Sequence, residues 1–571
     1  MPTDLEIAQR AVLRPVPEIG LRLGLTADQL EPYGHRVAKI ELGAVAAAGG
    51  VATRSPGHYV VVTAITPTPL GEGKTTTAVG LVQGLGRLGR RATVVVRQPS
   101  LGPVFGIKGG AAGAGLSQVL PMETMNLHLT GDFHAVTAAH NLLAAMVDNH
   151  LHLGNELRIE PHSITWGRVL DVNDRALRDI VIGLGTRADG VPRQTRFDIT
   201  AASELMAILA LATSLADLRA RLGRIVVGFD VDGRPVTAEE LRAAGAMAVL
   251  LRDAFRPNLL QTTEGQPALV HTGPFGNIAT GNSSIVADQV ALAGSDVVVT
   301  EAGFGADLGF ERFVNVKCRT SGLRPDAAVV VVTVRALKAH SGRYAIVAGR
   351  PLPEALTEEN PGDVAEGLPN LAHHLDIVEA MGVTPVIAIN AFPGDHPSEY
   401  AVIADFARGR GVRAAVSTHV ADGGGGAVDL AEAVLDACTA SGADDELEFS
   451  YDLTDPLIAK FEALATRVYG ARGVDLAPAA ARDLARFERL GFGGLPVLVA
   501  KTHLSTTADP RDRADIDHRD WVLPIREVRL AAGAGYVYAL TGEITTMPGL
   551  GRTPGAVRMD LTATGEIVGL S

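Results

Sequence analysis

Tyr59-Val-Val-Val-Thr-Ala-Ile65 runs directly into Thr66-Pro-Thr-Pro-Leu-Gly-Glu-Gly-Lys-Thr-Thr-Thr77. The first seven residues form a short apolar, β-branched run, the composition of a buried strand. The polar turn that follows enters a helix-like segment from Thr75 to Leu88. Gly71 and Gly73 let the backbone approach a ligand with no Cβ in the way. The start of a helix aims unpaired N–H groups at an anion. Lys74 adds positive charge at terminal phosphates, and Thr75 offers a hydroxyl of the kind that joins Mg²⁺ beside them. Thr68, Pro69, Leu70, Gly71, Glu72, Gly73, Lys74, Thr75 and Thr76 are therefore the expected nucleotide-binding residues. The match to a full phosphate loop is incomplete, because Thr68 stands where that pattern has Gly.

Further β-branched runs occur at Ala92 to Val96, Arg224 to Phe229, Asp296 to Thr300, Ala327 to Val334 and Pro385 to Ile389. Several alternate with helix-like segments such as Thr130 to Val147. This pattern predicts an α/β fold, with a large, mainly parallel sheet covered by helices on both faces and two smaller mixed α/β domains. In such sheets ligands bind beyond the carboxyl ends of the strands. Arg97-Gln-Pro-Ser100, Glu301-Ala-Gly-Phe-Gly305, Arg335 with Lys338, and Asn390-Ala-Phe-Pro393 follow four of these runs and are expected on one edge. Composition shifts divide the chain into 1–365, a nucleotide-binding and catalytic domain, 366–475, an α/β domain, and 476–571, a small mixed α+β domain. The acidic Glu354 to Gly367 segment reads as a linker or surface excursion, and Ala421 to Gly426 as a flexible point. Leu495 to Ala500, Tyr536 to Ala539 and the run from Met559 to Leu570 read as short C-terminal strands.

The 571 residues carry a formal net charge of −13, which argues against generic nucleic-acid or anionic-membrane binding but permits a local basic pocket. Seven of the 51 basic residues are Lys, at 39, 74, 108, 317, 338, 460 and 501, so each Lys is worth weighing. The two cysteines, Cys318 and Cys438, form no metal or CxxC framework and suit a reducing compartment. The N-terminus lacks the pattern of a signal peptide, and the richest apolar stretch, Leu205 to Ala216, is short and carries Thr and Ser. A cytoplasmic location is the expectation.

Arg97 ends the second strand and is expected to face the ligand edge; the plainer alternative is a surface salt bridge. The Gly-rich run from Gly102 to Gly115, with Lys108 inside it, suits wrapping around a polyanion. Thr130 is the expected N-cap of the next helix. His128, His134 and His140 recur every six residues, which is not the spacing that places two ligands on one helix face, so zinc is rejected. His128 and Asp132 are kept as catalytic candidates.

These motifs together resemble the formate–tetrahydrofolate ligase (formyltetrahydrofolate synthetase) family. The resemblance runs from about Val60 to the C-terminus. It is carried by Thr66 to Thr77, Pro99-Ser-Leu-Gly-Pro103, Gly106-Ile-Lys-Gly-Gly-Ala-Ala112, Asn126 to Asp148, Ile164-Thr-Trp166, Asp189-Gly-Val-Pro-Arg193, Glu301 to Gly309, Val334-Arg-Ala-Leu-Lys338 and Thr546-Met-Pro-Gly-Leu550. The resemblance implies that formate, ATP and tetrahydrofolate give 10-formyltetrahydrofolate, ADP and phosphate, through formyl phosphate. It implies Lys74 and Arg97 at the reacting groups, with Glu301 and Thr75 at Mg²⁺ carried by ATP. It implies Phe304, Phe392 and Pro393 at the folate, with 366–475 contributing to that site, and also a homotetramer activated by a monovalent cation (K⁺ or NH₄⁺).

The sequence departs from the family pattern at Ala114 and Leu116, Thr280, Ser341, Val420, Asp422, Gly425 and His503-Leu-Ser-Thr506. Val420 replaces an aromatic that stacks on folate, and His419 is the candidate substitute clamp. Two other readings stand beside the ligase: a divergent acyl-phosphate-forming enzyme with another amine acceptor, and a nucleotide-binding regulatory protein without catalysis.

Overall fold

The computed structural model describes residues 2–51, 57–69, 71–106, 112–276, 278–344, 346, 352–442, 446–512, 520–542 and 544–570. Its centre is a twelve-stranded sheet. In chain order the strands of its continuous path are β1 (Leu30–Pro32), β2 (Ala38–Ile40), β3 (His58–Ala64), β4 (Ala92–Val96), β5 (Asn258–Thr262), β6 (Pro267–Val270), β7 (Val297–Glu301), β8 (Ala327–Val332), β9 (Thr384–Asn390) and β10 (Arg413–Ser417). In space the order is β1-β2-β5-β6-β4-β7-β3-β8-β9-β10. Pairing is parallel from β6 through β10 and antiparallel among β1, β2, β5 and β6. A hairpin of Gly113–Ala114 and Ser117–Leu120 attaches to β5.

The parallel strands read as continuous apolar runs because both faces are covered. Tyr59 and Val61 of β3 enter one core while Val60, Val62 and Ala64 enter the other, and in β8 Ala328, Val330 and Val332 alternate with Ala327, Val329 and Val331. That is the two-residue period of a strand. Each fully buried Val contributes about 1.5–3 kcal/mol of hydrophobic stabilisation, so these strands anchor the edge that carries the chemistry. Helix α1 (Lys74–Arg87) covers β3 and β4. Helix α2 (Asp132–His152) lies in the core on the other side of the sheet.

The crossover from β3 through α1 to β4 skips one place in the sheet, and β7 fills it. The chain ends of β4, β7 and β3 therefore lie side by side, with β8 and β9 next. Arg97, Glu301, the loop after Ala64, Thr333 and Asn390 follow these five strands in that spatial order.

Several expectations need correction. The Arg224 to Phe229 run is not in the large sheet: Val226–Phe229 pairs antiparallel with Pro235–Thr237 in a separate ribbon. Glu354 to Gly367 is no linker but a short helix, Glu354–Thr357, and the start of helix α3 (Pro361–Ala380). The Asn360 side chain caps α3 and Pro361 supplies its first turn. Gly367 permits close packing, since a Cβ there would lie 2.0 Å from the Leu337 carbonyl oxygen. Helix α3 spans the expected division at 365, and β9 and β10 beyond it extend the same sheet.

Ala421 to Gly426 is not a flexible point. It continues the His419–Asp422 helical turn into a 3₁₀ turn, and Cβ atoms at Gly424 and Gly426 would meet Gln83 and Thr418 within 2.8 Å. Thr130 is not the N-cap of α2; Gly131 is, at φ 90°, and the Thr130 hydroxyl instead donates to Asn258 Oδ1 at 2.6 Å. The Met559 to Leu570 run yields only the two-residue strands Asp560–Leu561 and Ile567–Val568. The C-terminal part also holds a three-stranded sheet of β11 (Val497–Ala500), β12 (Glu527–Ala531) and β13 (Tyr536–Leu540), ordered β11-β13-β12. No helix among the described residues is long and apolar enough to cross a membrane.

Candidate active site

The loop after β3 is braced by its own glutamate. Glu72 is buried; its Oε1 accepts from the Thr68 backbone N–H at 2.8 Å and the Thr68 hydroxyl at 3.0 Å. Its Oε2 accepts from the Thr333 hydroxyl at the end of β8, at 2.8 Å. Thr68 and Glu72 thus shape the loop from within. Gly71 and Gly73 both take φ 77°, the left-handed region where Gly has no steric cost. At Gly73 a Cβ would also lie 2.5 Å from Asn390 Nδ2, the group that donates to the Glu72 carbonyl oxygen at 3.1 Å. Gly73 caps α1 without a side-chain hydrogen bond, so no capping side chain covers the helix start, the position that suits an anion. Leu70 and Lys108 lie outside the described residues.

Thr75, Glu301 and Arg97 meet. The Thr75 hydroxyl donates to Glu301 Oε2 at 2.6 Å, and Arg97 Nε donates to Glu301 Oε1 at 3.2 Å. Arg97 Nη1 also lies 3.5 Å from the Pro274 carbonyl oxygen. Glu301 is buried while about a quarter of the Arg97 side chain, 27%, is exposed. The guanidinium thus faces the edge with its position set by a buried carboxylate. Gly303 lies beside the guanidinium, where a Cβ would make ordinary contact with both Nη atoms at 3.5 Å. Thr75 and Glu301 are two adjacent hard oxygen donors. This donor set suits Mg²⁺ arriving with a nucleotide, since Mg²⁺ takes one or two protein oxygens and completes its shell with phosphate and water. No group of three or more His, Cys, Asp or Glu side chains able to hold a metal occurs among the described residues.

Phe304 follows on the same edge, at φ 63°, an unusual conformation for an aromatic residue. Its ring packs against Gly276, where a Cβ would come within 2.8 Å of Cε2. The ring stacks on His503 from the C-terminal part, with centroids 4.5 Å apart. Phe392 sits after β9, and the Arg335 guanidinium lies 3.8 Å from its ring centroid. The Phe392 N–H donates to Asp395 Oδ2 at 2.9 Å, and Pro393 is exposed beside it.

Three sequence candidates are placed differently. His419 is fully buried against α1: a Cβ at Gly80 would lie 2.5 Å from His419 Cβ. Its Nδ1 pairs with the Ser417 hydroxyl at 2.8 Å, and burial pushes the imidazole down to about 4. Asp132 is also buried, 2.8 Å from Lys39 Nζ, and accepts from Asn258 Nδ2 at 2.8 Å. Burial lowers the Lys39 ammonium, with Asp132 opposing. Asn258 pairs with Val270, so this cluster sits beside the carboxyl end of β6. His128 is exposed, as is His134, whereas His140 is buried and stacked on Trp166 at 4.1 Å.

Sequence reasoning missed the residues that hold the loop from behind. The Thr66 N–H donates to Asn370 Oδ1 at 3.1 Å, and its hydroxyl takes Asn370 Nδ2 at 3.0 Å and meets His374 Nε2 at 2.9 Å. His340 Nε2 meets the Thr66 carbonyl oxygen at 2.8 Å. Burial pushes His374 down to about 3, so it is a neutral hydrogen-bonding group. These residues sit inside helices, and nothing local in the sequence distinguishes them from ordinary polar positions.

A parallel sheet that gathers a glycine-rich anion loop, a buried carboxylate, a guanidinium and a stacked aromatic on one edge is the framework of an α/β ligase. The chain belongs to the formate–tetrahydrofolate ligase family, whose sequence model matches residues 2–571. It is 60% identical over 570 residues to a formate–tetrahydrofolate ligase of Cutibacterium acnes, covering 100% of both chains. It is 61% identical over 571 residues to one of Saccharopolyspora erythraea, again covering 100% of each. One from Desulforamulus reducens is 52% identical over 571 residues, covering 100% of this chain and 99% of that one. The protein is an enzyme of the ligase class, and its family joins formate to tetrahydrofolate at the expense of ATP to give 10-formyltetrahydrofolate.

Proposed function

We propose that the enzyme works through formyl phosphate. A formate oxygen attacks the γ-phosphorus of ATP, the bond to the ADP oxygen breaks, and formyl phosphate and ADP result. N10 of tetrahydrofolate then attacks the formyl carbon, phosphate leaves with the C–O bonding pair, and the nitrogen loses its proton. Formate resists direct attack by an amine, and phosphorylation turns one of its oxygens into a leaving group.

The observation that carries this reading is the Thr75–Glu301–Arg97 contact beside the loop of Gly71, Gly73 and Lys74. Lys74 and the N-terminal N–H groups of α1 neutralise charge on the moving phosphoryl group. Arg97, aimed by Glu301, grips formate and then the developing oxyanion. Thr75 and Glu301 would hold Mg²⁺, which supplies charge neutralisation at the phosphates when bound. Phe304 and Phe392 offer apolar faces to the pterin, with Pro393 at the rim. Holding both reactants in one cleft supplies the entropic advantage of an intramolecular step.

In this reading residues 1–365 carry the nucleotide and the chemistry, 366–475 lend Phe392, and 476–571 form the small C-terminal part. Asp132 and His128 stay candidates on the β6 side of the edge. A homotetramer, activation by K⁺ or NH₄⁺ and a cytoplasmic location complete the proposal, all from the family resemblance.

The test is to incubate the protein with formate, ATP and Mg²⁺, with and without tetrahydrofolate. Folate-free reactions with hydroxylamine should trap formyl phosphate as formyl hydroxamate and phosphate. Reactions with folate should give 10-formyltetrahydrofolate. Product without any trappable acyl phosphate, under conditions where added formyl phosphate is trapped, would sink the two-step route. Turnover with other amines in place of folate would favour a changed acceptor.

A further inference from the structure

The Phe304–His503 stack joins the sheet edge to the C-terminal part, and one buried ammonium holds both sides of it. Lys501 is fully buried at the end of β11. Its Nζ lies 2.7 Å from Asp307 Oδ2, 2.6 Å from the Ser505 carbonyl oxygen and 3.3 Å from the Thr502 carbonyl oxygen. A Lys ammonium has three donors, and these contacts account for three. Asp307 lies three residues past Phe304; Gly305 between them is packed so closely that a Cβ would sit 2.7 Å from Asp307 Oδ1. Thr502 and Ser505 flank His503. Within this loop the Leu504 N–H also donates to Thr502 Oγ1, the Thr507 N–H donates to Ser505 Oγ, and the Ser505 and Thr507 hydroxyls pair at 3.1 Å.

We propose that Lys501 is a positioning residue for the folate half of the site, holding His503 flat against Phe304 so that the other face of Phe304 meets the pterin. This rests on the functional reading above. A purely stabilising role explains the arrangement poorly, because a buried ion pair is often no better than an apolar pair of the same volume. The stack it supports begins at Phe304, three residues past the last residue of β7, and the loop it holds contributes the stacked ring itself. The phosphate loop does not depend on Lys501 in the same way. The bonds from Thr66 to Asn370 and His340 do not involve Lys501, and the loop meets the Asp307–Lys501 pair through His374, which bonds the Thr66 hydroxyl. The two halves of the reaction should therefore respond differently to its loss.

The test uses the paired variant Asp307→Asn/Lys501→Met, which removes both charges together, with Asp307→Asn/Lys501→Gln as a second pair that keeps a donor. Folding is checked by circular dichroism and thermal melting. The expected result is a KM for tetrahydrofolate raised about five- to tenfold, the scale of a lost aromatic stack, while folate-free formyl hydroxamate formation stays within about twofold. His503→Ala should raise the same KM. A folded pair variant with unchanged KM for tetrahydrofolate overturns the proposal, as does a parallel fall in hydroxamate formation, which marks a general structural role. If the Met pair does not fold, the Gln pair decides by the same two readouts. Wild-type protein that forms hydroxamate but no 10-formyltetrahydrofolate would instead overturn the functional reading, so the two failures are distinguishable.

Discussion

In the proposed reading the site has a phosphate half and a folate half, and the two are built in different ways. The phosphate half takes most of its groups from one continuous stretch, Thr66 to Thr77, together with the first residue past β4 and the last residue of β7. Each lies where a parallel strand ends, so the sheet register alone delivers them to one place. The folate half gathers Phe304 from beyond β7, Phe392 from beyond β9 and His503 from the C-terminal part, about 200 residues apart along the chain by their numbers. It depends on stacking and on a buried ion pair. The difference teaches that a site read from strand ends tolerates little change in its residues, whereas one assembled by side-chain packing has several places to vary. The departures from the family pattern include His503 to Thr506, where His503 stacks on Phe304, whereas Val420 lies against Gly115 and Leu116.

The largest expected effect is on the phosphate half. Lys74→Ala should lower kcat for formate-dependent ADP release by about 10²–10³-fold, the usual scale for removing one transition-state charge partner. Wild-type activity that survived in this variant would break the comparison at its strongest point. Glu301→Gln keeps the shape but removes the charge that aims Arg97 and accepts from Thr75. A loss of roughly 10-fold to 100-fold in both product and hydroxamate formation is expected, with a raised Mg²⁺ requirement in a metal titration. An effect on folate KM alone would mean that Glu301 belongs to the other half.

Phe392→Ala should raise the KM for tetrahydrofolate about three- to tenfold and leave hydroxamate formation intact, measured by steady-state kinetics. Equal loss in both assays would merge the two halves. Gly80→Ala sharpens the comparison from behind the loop. Its Cβ would meet His419 at 2.5 Å, and such overpacking costs about 1–3 kcal/mol. A chemical denaturation midpoint should report that loss, while the KM for tetrahydrofolate stays unchanged. A selective rise in that KM would return His419 to the folate site.

A further effect lies in acid. Burial holds His374 down to about 3 and His140, His271 and His419 down to about 4 in the fold. An unfolded His titrates near 6.5. The folded state therefore binds fewer protons below that value. The stability from the neutral imidazoles is complete above pH 6.5 and falls as the pH drops toward 4, by up to about 1.4 kcal/mol per pH unit for each His. His419→Gln should flatten the stability–pH curve over that window by about one proton. An unchanged slope between pH 6.5 and 4 would show that His419 is not buried as a neutral group.

Much of the fold was legible because the strands follow simple rules. β3, β4, β7, β8 and β9 announce themselves as short β-branched runs, since a strand buried on both faces needs apolar residues at every position. The run at Arg224 to Phe229 has the same composition and lies elsewhere, because composition does not specify a partner. β5, β6 and β10 were not foreseen. Asn258 and Gln261 in β5 and the flanking arginine of β10 disguise strands whose place is set by pairing. Gly423 to Gly426 looked loose because glycine suits turns, but those glycines are where the 3₁₀ turn packs against α1. Asp132 stood out by its motif, and the sequence did not show that its carboxylate pairs with Lys39, more than 90 residues earlier by number.

By itself the sequence determined the α/β class, the glycine-rich turn with Lys74 between strand and helix, and the placement of Arg97 and Glu301 at strand ends. It determined these because strand periodicity, glycine conformation and helix polarity act over a few residues. Only the tertiary structure decided that Glu72 braces its own loop, that His419 packs behind α1, and that Phe304 meets His503 under the hold of Lys501. Those outcomes depend on which distant side chains share a buried space, and burial is where an unpartnered polar group is costly enough to select its partner.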